Sequence, residues 1–370
     1  MRCSENRLHK QTGLSLVELM IATVVGLILL AGVLSIFLSS RQSYGINSAV
    51  GQIQESGRFA LDFMSTATRK AGYMGCATSN NIANYLAPAG GPYLLAYNFG
   101  TGITGFEYMG TGPGAAYVMA GEDPAPVAAG NWSPSLDPTL PVAGAAYAIA
   151  GSDVLVVRYS MNDPTYVTSI GVGSFTVANN TTIMANNLVL VTDCASGVVQ
   201  QATAATAGLG GAITTAIGGP SPGDAMPNLP ASYLNAQVVT PTTTVFFVGQ
   251  GADNFPALFE GVTTTGIASG FTFQELVPGV ENMQVLYGVD LTGSMVPSQY
   301  FTANAVTAAG NWPNVVSVRI ALLLRSATGA VSIPAAAPSY CLLQTCITVP
   351  QDTRLRQVFT TTVAIRNPQG

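Results

Sequence analysis

Histidine and lysine, the side chains that most often move protons or form Schiff bases in enzymes, are nearly missing from this chain: His9 is the one histidine, and Lys10 and Lys70 are the two lysines. Beyond residue 10 there is no imidazole to act as a general base, complete a Ser-His-Asp triad or ligate a metal. Carboxylates working in pairs could still hydrolyse a glycoside, but nothing in the sequence sets the separation between any two of them. No catalytic residue is assigned, and no cofactor is expected. The acidic stretches Glu122-Asp123 and Asp290-Leu291-Thr292-Gly293 lack the regularly placed oxygen ligands of an EF-hand loop. They read as turn caps, and no metal site is expected. Trp132 and Trp312, each beside Asn and close to Pro, fit either loop packing or a contact surface.

Five cysteines complete the reactive inventory: Cys3, Cys76, Cys194, Cys341 and Cys346. If the N-terminal segment is removed, four remain, an even number that suits an oxidising compartment. Four cysteines allow three pairings. Cys341 and Cys346 are spaced to close a small loop, which favours that bridge and leaves Cys76 to Cys194, joining a helix end to a strand end. A thiol metal site has neither a CxxC pair nor a histidine to support it.

The elements that carry these residues begin with an apolar run. Leu14 to Leu38 holds twenty-five residues and a single charge, Glu18. As a helix the run is about 37 Å long at about 1.5 Å per residue, enough to cross a hydrocarbon core of about 30 Å. Arg2, Arg7, His9 and Lys10 precede it, so the positive-inside rule keeps the first residues cytoplasmic and sends the rest across. No small-residue cleavage site of the ordinary secretory kind follows Leu38, and Cys3 has no apolar run before it for lipid attachment.

Glu18 is the anomaly of this segment. A carboxylate inside a spanning helix costs on the order of 2.5 to 3.5 kcal/mol and usually has a partner. Two readings are open. Glu18 is about one turn inside the run and can reach the interface by itself. Alternatively, a cut between Gly13 and Leu14 creates an α-amino group, and the carboxylate pairs with that group on a neighbouring subunit.

The string Gly13-Leu14-Ser15-Leu16-Val17-Glu18-Leu19, after a short basic leader and before an apolar helix, resembles the class III signal of type IV prepilins. The resemblance implies cleavage after Gly13 by prepilin peptidase, N-methylation of Leu14, and a role for Glu18 in docking into a growing filament. Removing residues 1–13 takes away Arg2, Arg7, Lys10 and Glu5, leaving ten basic and seventeen acidic residues. The chain departs from many major pilins in having Gly26 and Gly32 but no proline within the apolar helix. Glycine weakens a helix interior by roughly 1 kcal/mol against alanine, yet it also permits close helix packing in a membrane.

Beyond the apolar run, Ile46, Val50, Ile53, Gly57, Ala60, Met64, Ala67 and Ala71 recur at steps of four and three, one helical stripe. Gln52, Glu55, Arg58, Asp62 and Arg69 lie opposite. The spacing predicts a single helix from Leu14 to about Ala71, with small stripe residues pressed against a head. Gln54 to Asp62, Ala71 to Cys76, Gly151 to Arg158, Val280 to Gly288 and Val315 to Arg325 together resemble the PilW family of minor pilins. Strands are expected at Asp153 to Ser160, Asn187 to Thr192, Thr244 to Val248, Gly270 to Leu276, Met283 to Asp290, Val315 to Leu324 and Gln357 to Ile365, all rich in Val, Ile, Phe and Thr. The Gly-, Ala- and Pro-heavy stretches 100–151 and 202–230 are expected to be surface insertions with little core.

The expected architecture is therefore α+β and pilin-like: a leader peptide at 1–13, a transmembrane helix half at 14–38, an amphipathic stalk at 39–72 and an extracytoplasmic β-rich head with long loops at 73–370. Charged residues are 8% and hydrophobic ones 48% of the chain, a balance that folds. With 13 Lys and Arg against 18 Asp and Glu, there is no basic excess to hold nucleic acid. The resemblance implies a single-pass inner-membrane protein with a periplasmic head, later placed in the pilus or at the cell surface. It implies a minor pilin that helps start or cap the filament, with other minor and major pilins, prepilin peptidase and the inner-membrane assembly platform as partners. Twitching and adhesion would follow indirectly. A minor pseudopilin of type II secretion and a membrane-tethered adhesin or ligand-binding protein are the alternatives.

Overall fold

The computed structural model describes residues 15–77, 81–87, 95–121, 126–142, 146–161, 163–218, 222–251, 254–267 and 270–366. Gly13, Leu14 and the Glu122-Asp123 pair lie outside them. One helix, α1 (Leu16–Arg69), runs for 54 residues, about 81 Å at about 1.5 Å per residue. Its start is capped by Ser15, and it stops at Lys70 because Gly72 follows at φ +77°, a left-handed conformation that ends helices and favours glycine. Both ends fall within two residues of the predicted ones. The predicted stripe is the buried one: Ile53, Gly57, Ala60, Met64 and Ala67 are buried, while Gln52, Glu55, Arg58, Asp62 and Arg69 face solvent.

Nine strands place the functional features: β1 (Ile103–Tyr108), β2 (Val154–Ser160), β3 (Leu188–Thr192), β4 (Pro241–Gln250), β5 (Pro256–Thr263), β6 (Phe271–Pro278), β7 (Val280–Val289), β8 (Val315–Gly329) and β9 (Arg354–Ala364). A six-stranded antiparallel sheet has the order β6-β5-β4-β2-β1 and ends in the short strand Trp132–Ser133. A four-stranded antiparallel sheet places β7, β8 and β9 side by side, with Gln299–Phe301 on the free edge of β7. Between these sheets and α1 sits the largest core, which takes Leu155 and Val157 from β2, Val285 and Tyr287 from β7, and Ile320 and Leu322 from β8. The alternate residues Val154 and Val156 point into a second core with Tyr97, Phe99, Trp132, Leu136 and Leu140. Strands buried on both faces need apolar side chains at every position, which is why these runs are continuous rather than alternating.

Helix and sheet approach closely at one point. A Cβ added to Gly57 would lie 2.6 Å from Cε2 of Phe359 on β9. Glycine lets the aromatic ring lie against the helix backbone.

Stretch 100–151 does more than the expected surface insertion. It contributes β1 to the six-stranded sheet and buries Phe106, Trp132, Leu136, Leu140 and Ile149. Its few large apolar residues are spread among glycines, which dilutes their signal. Gly105 is required within β1, because a Cβ there would be 1.8 Å from the Tyr287 hydroxyl. Stretch 202–230 adds Ala202, Ile213 and Leu229 to a third core, which is covered by an eight-stranded sheet of short strands that includes β3.

Both favoured disulfides are present, Cys76–Cys194 and Cys341–Cys346. The first fastens the segment after α1 to the end of β3. The second lies across the hairpin of Ser339–Leu342 and Thr345–Thr348, where Cys341 and Cys346 are directly opposed.

Candidate functional site

From Ser15 to Gly45 every residue of the helix and its cap is exposed, Leu16 at 74% and Ile36 at 69% among them. The segment is long and apolar enough to cross a membrane. It leaves few polar demands, because Thr23 donates its hydroxyl to the Met20 carbonyl at 2.8 Å and Ser35 donates to Gly32 at 2.8 Å. Such local return bonds suit a helix in hydrocarbon. A Cβ built at Gly26 or Gly32 would meet nothing within 4 Å beyond the helix's own backbone, so any packing these glycines permit is against another molecule.

Glu18 closes a reciprocal cap at the start of this segment. Its backbone N–H donates to Ser15 Oγ at 3.2 Å, and its carboxylate Oε2 accepts from the Ser15 N–H at 3.2 Å. The spacing Ser15-Leu16-Val17-Glu18 ahead of an apolar run is the sequence signature of this box. It identifies a role for Ser15 that the charge of Glu18 alone does not. The bond satisfies one lone pair of a carboxylate that can accept about four, so an ammonium can be held at the same time.

The other candidate groups resolve into structural roles. Asp290 accepts from the N–H groups of Thr292 at 2.9 Å, Gly293 at 2.9 Å and Met295 at 2.6 Å. The bonds from Thr292 first, and then from Met295, pull its carboxyl down to about 2. This is a turn cap. The Trp132 indole is buried and donates to the Ser152 carbonyl at 2.8 Å. Trp312 meets the Tyr287 ring edge-on at 4.8 Å and donates to Thr307 Oγ1 at 3.1 Å. Both tryptophans therefore pack. Among the described residues no three His, Cys, Asp or Glu side chains gather as metal ligands.

Two buried polar clusters carry no sequence signal, because they join residues far apart in the chain. In the first, Glu281 on β7 accepts from Arg356 Nε at 2.7 Å and Nη2 at 2.9 Å, and from Arg325 Nη1 at 3.2 Å. Arg356 also holds Asp352 at 2.7 and 2.6 Å. The cluster lies at the end of the four-stranded sheet beneath α1, where Arg325, Gln52, Ile53 and Ser56 border one cleft. In the second, Asp153 accepts from the N–H groups of Tyr108 at 3.0 Å and Val285 at 2.9 Å, linking the two main sheets. Glu107 hydrogen-bonds to it, and burial pushes both carboxyls up, Glu107 further because it faces the charge of Asp153. Two carboxyls this deep, at 6% and 2% exposure, offer no access to a glycoside substrate.

Residues 8–34 match the family model described as the prokaryotic N-terminal methylation motif. Residues 245–367 match the model described as Type IV Pilus-assembly protein W. With an apolar helix half running into a half packed on a β-rich head, these matches make the chain a type IV pilin, a class of structural subunits, anchored to the membrane by that helix. Within that class, the stretch 245–367 is similar to the PilW family. The matched region holds β5 to β9 and the whole Glu281 cluster; Gln54 to Asp62 and Gly151 to Arg158 lie outside it. Among solved structures, the type IV-like pilin TTHA1219 from Thermus thermophilus is 19% identical over 50% of this chain and 87% of its own, with a TM-score of 0.20. A search of curated proteins gave no match.

Proposed function

We propose that the chain is a minor pilin that helps initiate or cap a type IV pilus, acting through protein interfaces and not by turnover. The observation that carries this is the exposed apolar half of α1, continuous with a half sealed onto the head and opening on Glu18. Residues 1–13 are the leader, cut by prepilin peptidase between Gly13 and Leu14, and Leu14 is then N-methylated. Methylation leaves the amine charged, so Glu18 can pair with the terminus of a neighbouring subunit while keeping its bond to Ser15. Residues 14–38 span the inner membrane, residues 39–72 form the stalk, and the head from residue 73 is periplasmic until the protein enters the pilus. Other minor and major pilins and the inner-membrane platform are its partners. The eight-stranded sheet and long loops outside the helix-bearing layer suit a filament end, where bulk does not obstruct helical packing.

Mass spectrometry of the mature N-terminus is the first test, with methyl-Leu14 expected; a chain still beginning at Met1 in cells with active peptidase would overturn the reading. Glu18→Ala should still be cleaved but enter filaments at least several-fold less. Unchanged piliation by that variant would remove the docking role.

A further inference from the structure

Where α1 ends beside the strand end of β9, a cleft of about 390 Å³ opens between Thr66, Arg69, Lys70, Tyr73 and Arg366. Three cations line it, out of ten basic residues beyond the leader in a chain with acidic excess. All three are exposed, and among the described residues no carboxylate forms an ion pair with them. Lys70 lies with its Nζ 5.3 Å from the centre of the Tyr159 ring. The helix dipole accounts for basic residues at the C-terminal end of α1. It does not account for Arg366, which arrives from the far end of the chain and donates its N–H to the Arg69 carbonyl at 3.3 Å.

We propose that this cleft receives a carboxylate presented by a neighbouring pilin subunit, a reading that rests on the assembly role above. Guanidinium groups bind carboxylates through paired N–H donors, and the hydroxyls of Thr66 and Tyr73 supply further donors. Position selects the source of the anion. Arg69 lies about 46 Å along the helix from Leu38 at about 1.5 Å per residue, which puts the cleft out of reach of the headgroups around the spanning half. The exposed stalk face of this chain, with Glu55 and Asp62, shows how a subunit of the same build presents such a group. Opposite charges at an interface steer approach and set register.

The test uses the chemistry of Lys70, the one lysine left after residues 1–13 are removed. A water-soluble carbodiimide joins an amine to a carboxylate only when the two touch. Applied to purified pili and membranes carrying the full protein, it should link Lys70 to an Asp or Glu of another pilin, as read by peptide mass spectrometry. Lys70→Arg, which has no amine to couple, should abolish the link. The double variant Arg69→Ser with Arg366→Ser should lower incorporation several-fold at an unchanged melting temperature. Filaments that contain the protein yet give no Lys70 link, or a link only to a carboxylate of its own chain, overturn the site and leave the assembly role standing. Absence of the protein from filaments overturns the assembly role and the site with it.

Discussion

The two halves of α1 share one backbone geometry and differ in where their partners lie. Up to Gly45 no residue is covered by the rest of the chain, so the apolar surface there has to be satisfied by lipid or by other subunits. From Ile53 onward one stripe is sealed against β8, β9 and the six-stranded sheet. Two glycines show the contrast at a single residue type: a Cβ added at Gly26 would meet nothing within 4 Å beyond the helix, and one added at Gly57 would run into the Phe359 ring. The difference teaches that a substitution in the first half should register in assembly, and one in the second half or the layer beneath it should register in folding.

The largest expected effect comes from the layer beneath the packed half. Glu281→Ala strands Arg325 and Arg356, whose side chains are 2% and 1% exposed, without their shared carboxylate. Removing one partner of a buried ion pair costs about 3 to 5 kcal/mol. Thermal unfolding of the full chain in detergent should show this as a fall of roughly 6 to 20 °C, at about 2 to 4 °C per kcal/mol, while membrane insertion is retained. Loss of insertion along with the head would mean that the two halves are not separable.

Gly57→Val follows. The added Cβ meets three Phe359 ring atoms at 2.6 to 2.7 Å, and overpacking of this kind costs about 1 to 3 kcal/mol. Gly26→Val is the paired control, expected to leave the unfolding of the head unchanged and to alter, if anything, filament content. Equal melting shifts for the two variants would erase the contrast between the halves.

How much of this is legible in the sequence depends on whether a feature is local. The Gly13 to Leu19 string, the stalk stripe and the seven expected strands are runs of contiguous residues, and each expected strand overlaps an observed one. β1 was hidden because Gly105 reads as a strand breaker; only the structure shows that the Tyr287 hydroxyl requires it. β5 follows β4 after a short loop and carries Glu260 and Gly261 in its interior, which weakens its pattern. The ion cluster joins Glu281 to Arg356 across 75 residues, and Asp153 reaches Val285 across 132. Strand pairing creates these contacts, so no spacing rule could have listed their members. The Ser15 cap, in contrast, was readable as Ser-x-x-Glu.

The smallest effect concerns the carboxyl pair between the two main sheets, where the contrast predicts a folding response without any assembly response. Glu107 is pushed from 4.5 up to about 9, by burial first and then by Asp153. In the unfolded chain it loses its proton near pH 4.5, whereas in the folded chain it keeps that proton until about pH 9. Its contribution to stability is thus fully present below pH 4.5 and is lost as pH rises through about 9, because the unfolded state binds fewer protons in that window. Glu107→Gln keeps a neutral donor toward Asp153 and cannot ionise. Between pH 5 and pH 9 the melting temperature of the parent should fall more than that of the variant, with filament incorporation equal at pH 7. Parallel melting profiles would show that the carboxyl is already ionised in the folded head.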